Sequence, residues 1–217
     1  MADQPERQKR RYVSPKRDAA LAATHQRIVQ AAADLFGEDG YRSTTLAAIA
    51  RRAGVSVPRV NLSGSKPALL VEAYERMATG SEVQQPVTEE PELVEIMRLA
   101  PEEALPAYVA WLERRHELSV GLWFALLDAA ATDEEAAEAL AGVRARNAEA
   151  CAAAVAWARA AGMLSGELSD ERRAESWDLV ASAEPYRFYV QQRGWSGEEY
   201  RAWVLRALRA LVFDPRD

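Results

Sequence analysis

The chain has 217 residues, of which 49% are hydrophobic and 28% charged, a balance that excludes an intrinsically disordered protein. It contains no apolar run of about 18 residues, so we do not expect a membrane protein. The single cysteine, Cys151, excludes an internal disulfide. The first residues are charged and lack the apolar core of a signal peptide, so we expect a cytoplasmic location.

Charge is distributed unevenly along the chain, whose formal net charge is −6. Residues 1–66 carry twelve Lys and Arg against six Asp and Glu, a surplus of six positive charges. The rest of the chain carries fifteen against 27, which leaves it with twelve excess negative charges. A basic segment followed by an acidic body is typical of a protein whose first part contacts a polyanion. For residues 1–17 alone, a solvated tail is an equally good interpretation.

The first predicted elements follow a flexible basic arm over residues 1–17. Apolar residues at helical spacing predict a helix from Asp18 that ends at Gly37 and Gly40, because glycine tolerates the left-handed backbone found after helices. Thr44 and Ser56 are suitable N-caps for two short helices, separated by a turn at Gly54. The short helices predicted in this region are 45–52, 56–62 and 67–78.

The remainder of the chain is also predicted to be helical. Residues 80–91 are rich in Gly, Ser, Gln, Pro and Glu, and are the best candidate for a linker between residues 18–79 and 92–217. No alternating strand pattern occurs, so the fold class is all-α with about nine helices. Capping boxes are predicted at the starts of two helices, between Thr132 and Glu135 and between Ser196 and Glu199. The predicted helices beyond the linker are 93–99, 102–117, 118–131, 132–161, 170–193 and 197–213.

Catalytic and nucleotide-binding functions receive little support. Gly64-Ser65-Lys66 resembles part of a phosphate-cradling loop, but Arg59 occupies the position where such a loop needs its first glycine. The two histidines, His25 and His116, and the cysteine lack the spacing of metal ligands. We therefore expect no cofactor, no metal and no enzymatic activity.

The short helices fit a helix-turn-helix unit that reads DNA. Such a unit needs a short helix, a tight turn with a glycine, and a second helix whose exposed early residues enter the major groove. The segments 45–52, 53–55 and 56–62 provide these parts in order. Arg59 can bind a guanine edge and Asn61 an adenine edge, while the alternative is a merely structural helical hairpin.

Residues 27–70 resemble the N-terminal domain of the TetR family of bacterial transcriptional regulators, with an actinobacterial-like character. Many matches at fixed spacings make this resemblance specific, and residues 184–203 resemble a branch of the same family. The matching residues are Arg27-Ile28, Ala31-Ala32, Leu35-Phe36, Gly40-Tyr41, Thr44-Thr45, Ile49-Ala50, Ala53-Gly54-Val55-Ser56 and Gly64-Ser65-Lys66, followed by Ala68-Leu69-Leu70.

The resemblance implies a homodimeric repressor, in which a small DNA-binding domain (18–79) precedes a larger domain (92–217) that binds an effector and dimerises. It also implies that Thr45 and Lys66, at the starts of the second and fourth helices, contact DNA phosphates. Helix N-termini suit phosphate oxygens. The candidate DNA-contacting residues are Thr44, Thr45, Ser56, Val57, Pro58, Arg59, Asn61 and Lys66.

The segment between Ser56 and Lys66 departs from the family pattern. It is one residue short, so Asn61 stands where the family has a tyrosine, and Leu62 or Ser63 must replace a phenylalanine. Either the operator differs accordingly or DNA binding is weakened. The alternative function is therefore an effector- or partner-binding protein that keeps the TetR fold but binds DNA poorly.

Two further sets of residues are expected to act in the second domain, although each residue could equally be ordinary core. A small-molecule effector, apolar or aromatic rather than highly charged, would bind among aromatic and sulfur-bearing side chains. Candidate pocket residues are Met97, Tyr108, Trp111, Trp123, Phe124 and Trp157. Candidate residues of the homodimer interface are Trp177, Val180, Phe188, Val204, Leu205 and Leu208.

Overall fold

A computed structural model describes residues 15–79 and 87–213. Residues 1–14 of the predicted arm and most of the predicted linker lie outside the described residues, whereas residues 15–17, also assigned to the arm, belong to the first helix. The all-α prediction is confirmed for the described ranges, which contain helices and no strand. The first four helices are α1 (Pro15–Ser43), α2 (Leu46–Ala53), α3 (Val57–Asn61) and α4 (Lys66–Thr79).

The boundary between α1 and α2 differs from the prediction in two details. Gly37 remains inside α1, and the break occurs at Gly40, whose φ of 78° lies in the left-handed region. Thr45, not Thr44, caps α2 by accepting a hydrogen bond from the Ala48 amide. Thr44 instead turns inward, where its hydroxyl bonds to backbone carbonyls of α1.

Within the described residues 87–213, six α-helices follow a short 3-10 helix, Val87–Glu89. The predicted segments 102–117 and 118–131 form one helix, because no residue between them disrupts the backbone hydrogen bonding. Pro106 is accommodated within this helix on an exposed position. These helices are α5 (Pro91–Ile96), α6 (Pro101–Ala130), α7 (Glu134–Ala160), α8 (Asp170–Ala181), α9 (Ala183–Tyr186) and α10 (Gly197–Leu208).

The predicted helix 170–193 is interrupted at Ser182, which has an extended backbone. The interruption places Pro185 in the first turn of α9, where its missing amide hydrogen costs nothing. A π-helical turn over Arg187–Gln192 continues α9, and a similar turn, Arg209–Phe213, continues α10.

Two of the predicted N-terminal caps can be compared directly with the structure. The capping box between Ser196 and Glu199 at the start of α10 is confirmed, with both reciprocal hydrogen bonds present. At the start of α7 the cap is Asp133, which accepts from the Ala136 amide, and not Thr132 as predicted. A carboxylate is the better acceptor at this position because it also interacts favourably with the helix dipole.

The core is organised around α6. This helix contacts α1 and α4 of the first part of the chain and α7, α9 and α10 of the second. Val109 and Leu126 on α6 are completely buried, as are Leu69 and Leu70 on α4 and Tyr200 on α10. The helices α1 to α4 and α5 to α10 therefore share one continuous hydrophobic core. No helix of the described ranges is long and apolar enough to cross a membrane.

Candidate functional site

A tight turn joins α2 to α3. Gly54 ends α2 with a left-handed backbone (φ 66°), and its amide donates to carbonyls of the last turn. Ile49 on α2 and Val60 on α3 are fully buried, so they hold the two helices together. Ser56 precedes α3 with an extended backbone, and Pro58 lies in the first turn of α3, where a missing amide hydrogen is tolerated.

Most of the candidate DNA-contacting side chains are exposed. Arg59 is half-buried, and the hydroxyl of Ser63 donates to its carbonyl at 3.2 Å. Val57 is apolar but 38% exposed, and packing within the protein does not account for an apolar side chain at this surface position. The exposed members of the set are Thr45, Ser56, Val57, Pro58 and Asn61.

Thr44 is the member of the set that the structure corrects. Only 1% of its surface is exposed, and its hydroxyl lies 3.1 Å from the carbonyl of Leu35 and 2.9 Å from that of Gly40. A side chain buried in this way cannot reach DNA without unfolding the turn. Thr44 therefore holds the end of α1 in place, and the adjacent Thr45 is exposed.

The shortened segment contains a helix, α3, of only five residues. Leu62, directly after α3, is 79% exposed, and so it does not replace the missing aromatic in the core. Ser63 turns towards the protein and bonds to backbone carbonyls of α3. The contact that a phenylalanine would make between α3 and α4 is thus replaced by local hydrogen bonds.

The start of α4 carries the second candidate phosphate contact. Lys66 places its ammonium 3.9 Å from the ring centroid of Tyr41, a cation–π arrangement. Burial lowers the pKa of the Lys66 ammonium, and Asp133 opposes this change. The hydroxyl of Ser65 bonds to the carboxylate of Glu135, and that of Tyr41 donates to Asp133 at 2.8 Å. Acidic residues at the start of α7 therefore lie beside Lys66, which sequence reasoning did not anticipate.

A cavity of about 420 Å³ lies between α4, α6, α7 and α8. Its volume falls within the range typical of small-molecule sites. Phe124 is not part of its wall; the Arg187 guanidinium lies 3.9 Å from the Phe124 ring centroid instead. Five of the six predicted pocket residues line the cavity: Met97, Tyr108, Trp111, Trp123 and Trp157.

The aromatic walls of the cavity are fixed by hydrogen bonds at their polar ends. The indole of Trp157 donates to the carbonyl of Met97 at 2.9 Å, and that of Trp177 to the hydroxyl of Tyr108 at 3.0 Å. The indole of Trp123 donates to Glu184 at 3.1 Å. These donors are already used, so the rings offer a ligand mainly apolar surface.

Charged side chains also line the cavity, and sequence reasoning missed them. They are Arg115 on α6, Arg144 on α7, Glu175 and Asp178 on α8, and Glu184 in α9. Burial lowers the pKa of His116, also in the wall, to about 3, so its imidazole is neutral. Arg115 follows Trp111 and Leu112 at helical spacing, and a charge on an apolar helix face was the signal that could have identified it.

The structure buries four of the six predicted dimer residues within the single chain. Because Trp177, Val180, Val204 and Leu208 are at most 2% exposed, they form internal core and cannot offer surface to a partner in this conformation. Phe188 is 42% exposed and Leu205 is partly exposed. Two further exposed apolar side chains, Leu179 and Leu211, lie on the same last helices.

The described ranges contain no group of three or more His, Cys, Asp or Glu that could hold a metal ion. Cys151 is buried, and burial raises the pKa of its thiol to about 12, so it is protonated and unreactive at neutral pH.

Comparison with known proteins confirms the resemblance noted in the sequence. Residues 28–73 match the family of bacterial regulatory proteins named tetR. The match covers α2, α3 and most of α1 and α4, which is the region that contains the glycine turn. No curated protein sequence matches the chain significantly.

Solved structures share the fold over almost the whole chain. A Rhodococcus protein assigned to the TetR family has a TM-score of 0.69 at 20% identity, covering 87% of this chain and 98% of its own. The fatty acid degradation regulator FadR of Bacillus halodurans has a TM-score of 0.66 at 16% identity, covering 95% and 99%. NalD, a repressor of a multidrug efflux pump in Pseudomonas aeruginosa, has a TM-score of 0.61 at 19% identity, covering 91% and 99%. The chain thus has the fold of TetR-family regulators.

Proposed function

Because residues 28–73 carry the N-terminal domain of the TetR family, we propose that the protein is a ligand-responsive transcriptional repressor that binds operator DNA as a homodimer. One observation carries this proposal: α3 follows a left-handed glycine turn, and at the protein surface it leaves Asn61 exposed and Arg59 half-exposed. Arg59 and Asn61 would read base edges, and Thr45 and Lys66 would contact phosphates.

The cavity is the proposed effector site, and α4 is the proposed link to DNA. Tyr74 on α4 lines the cavity and packs against Trp123 at 5.5 Å between ring centroids, while Lys66 begins the same helix. A ligand in the cavity would therefore touch α4, the helix that begins with Lys66, the proposed phosphate contact. Such a ligand shifts DNA affinity only if it binds the two conformations of the protein differently.

The test is a titration of the protein onto DNA from its own promoter region at several salt concentrations. A dimer that contacts several phosphates per subunit should lose affinity steeply with salt, with a log–log slope of about −0.9 per phosphate contact. If the protein shows no preference for its promoter over unrelated DNA even at low salt, the repressor proposal is wrong.

Two substitutions separate the proposed roles on the DNA-binding surface. Arg59→Ala should reduce the preference for operator over unrelated DNA, because a good bidentate base contact contributes about 1–3 kcal/mol of discrimination. Lys66→Ala should weaken binding to all sequences alike and make the salt slope shallower by about one. Arg98→Ala is the matched control, because Arg98 lies just after α5, is exposed and pairs with Glu95.

The second candidate function is a TetR-fold protein that binds an effector or partner but has weakened DNA binding. The five-residue α3 and the exposed Leu62 favour it, since the family aromatics that would support the recognition helix are missing. Ligand binding without sequence-preferring DNA binding in the titration above would establish this alternative.

A further inference from the structure

Opposite charges line the cavity without pairing with one another. The Arg115 guanidinium stands on α6, and the carboxylates of Asp178 and Glu184 stand on the facing α8 and α9. Among the described residues, the ion pairs include none of these three side chains. The cavity wall therefore carries positive and negative side chains that no ion pair within the described residues joins to each other.

Two residues of the cavity lie within the field of both charges. The pKa of the Cys151 thiol is raised mainly by burial; Asp178 raises it further and Arg115 lowers it. Burial also raises the pKa of the Tyr108 hydroxyl, with Arg115 opposing and Asp178 adding to the shift. Asp178 lies directly beside one of these groups, since its carboxylate oxygen is 3.9 Å from the Cys151 sulfur, and all four residues line the same cavity.

The acidic side of the cavity has one cation in its wall, Arg144 on α7, and among the described residues Arg144 forms no ion pair with Asp178 or Glu184. Burial raises the pKa of Asp178, and repulsion from Glu184 raises it further. Cys151 and Arg144 lower that pKa only in part, and Arg144 is exposed. A third carboxylate in the wall, that of Glu175, is already paired with Arg172. A cationic group of a ligand would relieve the repulsion between Asp178 and Glu184.

On the α6 side of the cavity the basic residue is Arg115, which is partly buried. Its guanidinium lies 5.3 Å from the ring centroid of Trp111, so one face is covered by an aromatic wall. The adjacent His116 is neutral and contributes no positive charge. Arginine binds carboxylates through two parallel hydrogen bonds, which makes it a suitable anchor for an anionic group.

We propose that the cavity binds an aromatic zwitterion, with its carboxylate on Arg115, its ammonium group on Asp178 and Glu184, and its rings against the tryptophan walls. A ligand with only a positive charge meets repulsion from Arg115, and one with only a negative charge meets repulsion from the two carboxylates. A ligand that carries one positive and one negative group can pair with Arg115 and with the two carboxylates at the same time. This inference rests on the proposed role of the cavity as the effector site.

The probes are four forms of one skeleton, phenylalanyl-phenylalanine. The free dipeptide has both charges, its C-terminal amide only the ammonium, its N-acetyl form only the carboxylate, and the doubly blocked form neither. Binding to the full-length protein is followed by tryptophan fluorescence, without DNA, so the outcome is independent of whether the protein is a repressor.

We expect the zwitterion to bind at least about tenfold more tightly than each blocked form, because each blocked form lacks the charge-assisted hydrogen bonds of at least one end. Equal or tighter binding of a blocked form, or no binding of the zwitterion at millimolar concentration, overturns the proposal.

Variants assign each charge of the ligand to its partner. Arg115→Gln should weaken the two probes that carry a carboxylate and strengthen the amide, which it frees from repulsion; Asp178→Asn should weaken the two that carry an ammonium group. If the Gln variant fails to fold, Arg115→Lys replaces it: it keeps the charge but loses the two parallel hydrogen bonds, so it should still weaken the two carboxylate probes and leave the amide unchanged. The controls are Arg114→Gln, an exposed neighbour paired with Glu92, and Glu171→Gln on the exposed start of α8. If the control variants lose the same selectivity, or the cavity variants weaken all four probes equally, the assignment is wrong.

Discussion

Arg173 shows how much one side chain can contribute to the last part of the fold. It is 1% exposed, and its guanidinium donates to the backbone carbonyls of Leu168, Ser165, Gly166 and Val212. These carbonyls belong to the loop after α7 and to the end of the α10 extension. Arg173 therefore joins two segments that are distant in sequence, and its charge is compensated by carbonyl dipoles.

Arg173→Met should destabilise the protein by about 2–4 kcal/mol, because a methionine of similar length leaves several buried carbonyls without a donor. The neighbouring Arg172 provides a matched control, since it is exposed and pairs with Glu175 three residues later. Arg172→Met should cost at most about 0.5 kcal/mol. Urea unfolding monitored by circular dichroism measures both values, and comparable losses would contradict this account of Arg173.

At the scale of the elements, two glycines of the N-terminal helices have opposite roles. Gly54 has a φ of 66° and ends α2, whereas Gly37 is helical and lies within α1. A Cβ atom added at either position would meet no atom within 4 Å. Backbone conformation, and not space, therefore decides what a side chain would do at each position.

Gly54→Ala should destabilise the protein by about 1–2 kcal/mol, because an L-residue is strained in the left-handed conformation. Gly37→Ala should stabilise it by about 0.5–1 kcal/mol, because alanine favours an exposed helix interior. The same substitution thus has opposite effects at the two sites. Thermal unfolding of both variants provides the test, and a change of the same sign in both would show that the turn geometry is wrong.

At the scale of the whole molecule, the last helices present apolar surface that the single chain does not cover. Leu179, Phe188 and Leu211 are between 42% and 66% exposed, and all three follow α7 in the chain. Large exposed apolar side chains on neighbouring elements are typical of protein interfaces. These residues, in place of the buried set expected from sequence, are our candidates for the surface through which two copies associate.

The double variant Phe188→Lys with Leu211→Lys should weaken the homodimer at least about tenfold, because association would have to desolvate two charges. Phe188 and Leu211 are chosen because Leu179 also lines the cavity. Leu118→Lys, an equally exposed leucine on α6, is the control and should leave association unchanged. Sedimentation velocity over a range of concentrations measures both, and an unaltered dimer in the double variant would exclude this surface.

Much of the fold could be predicted from local signals. The helical periodicity, the turn at Gly54 and the capping box at Ser196 depend on residues close together in the chain, and the structure shows each of them. The interruption at Ser182 and the cap at Asp133 were missed, because neighbouring residues offered several capping and breaking choices of similar energy. Tertiary packing selects among such choices.

The amino-acid sequence by itself determined the all-α class, the helix-turn-helix unit and the resemblance to the TetR family, because each depends on spacing along the chain. Only the tertiary structure decided which bulky residues are core and which are surface: Trp177 and Val204 are buried, while Leu62 and Leu211 are exposed. It also decided that Arg115, Asp178 and Glu184 line one cavity. These residues lie on helices far apart in sequence, and hydrophobicity or charge at one position carries no information about which distant residue it will face.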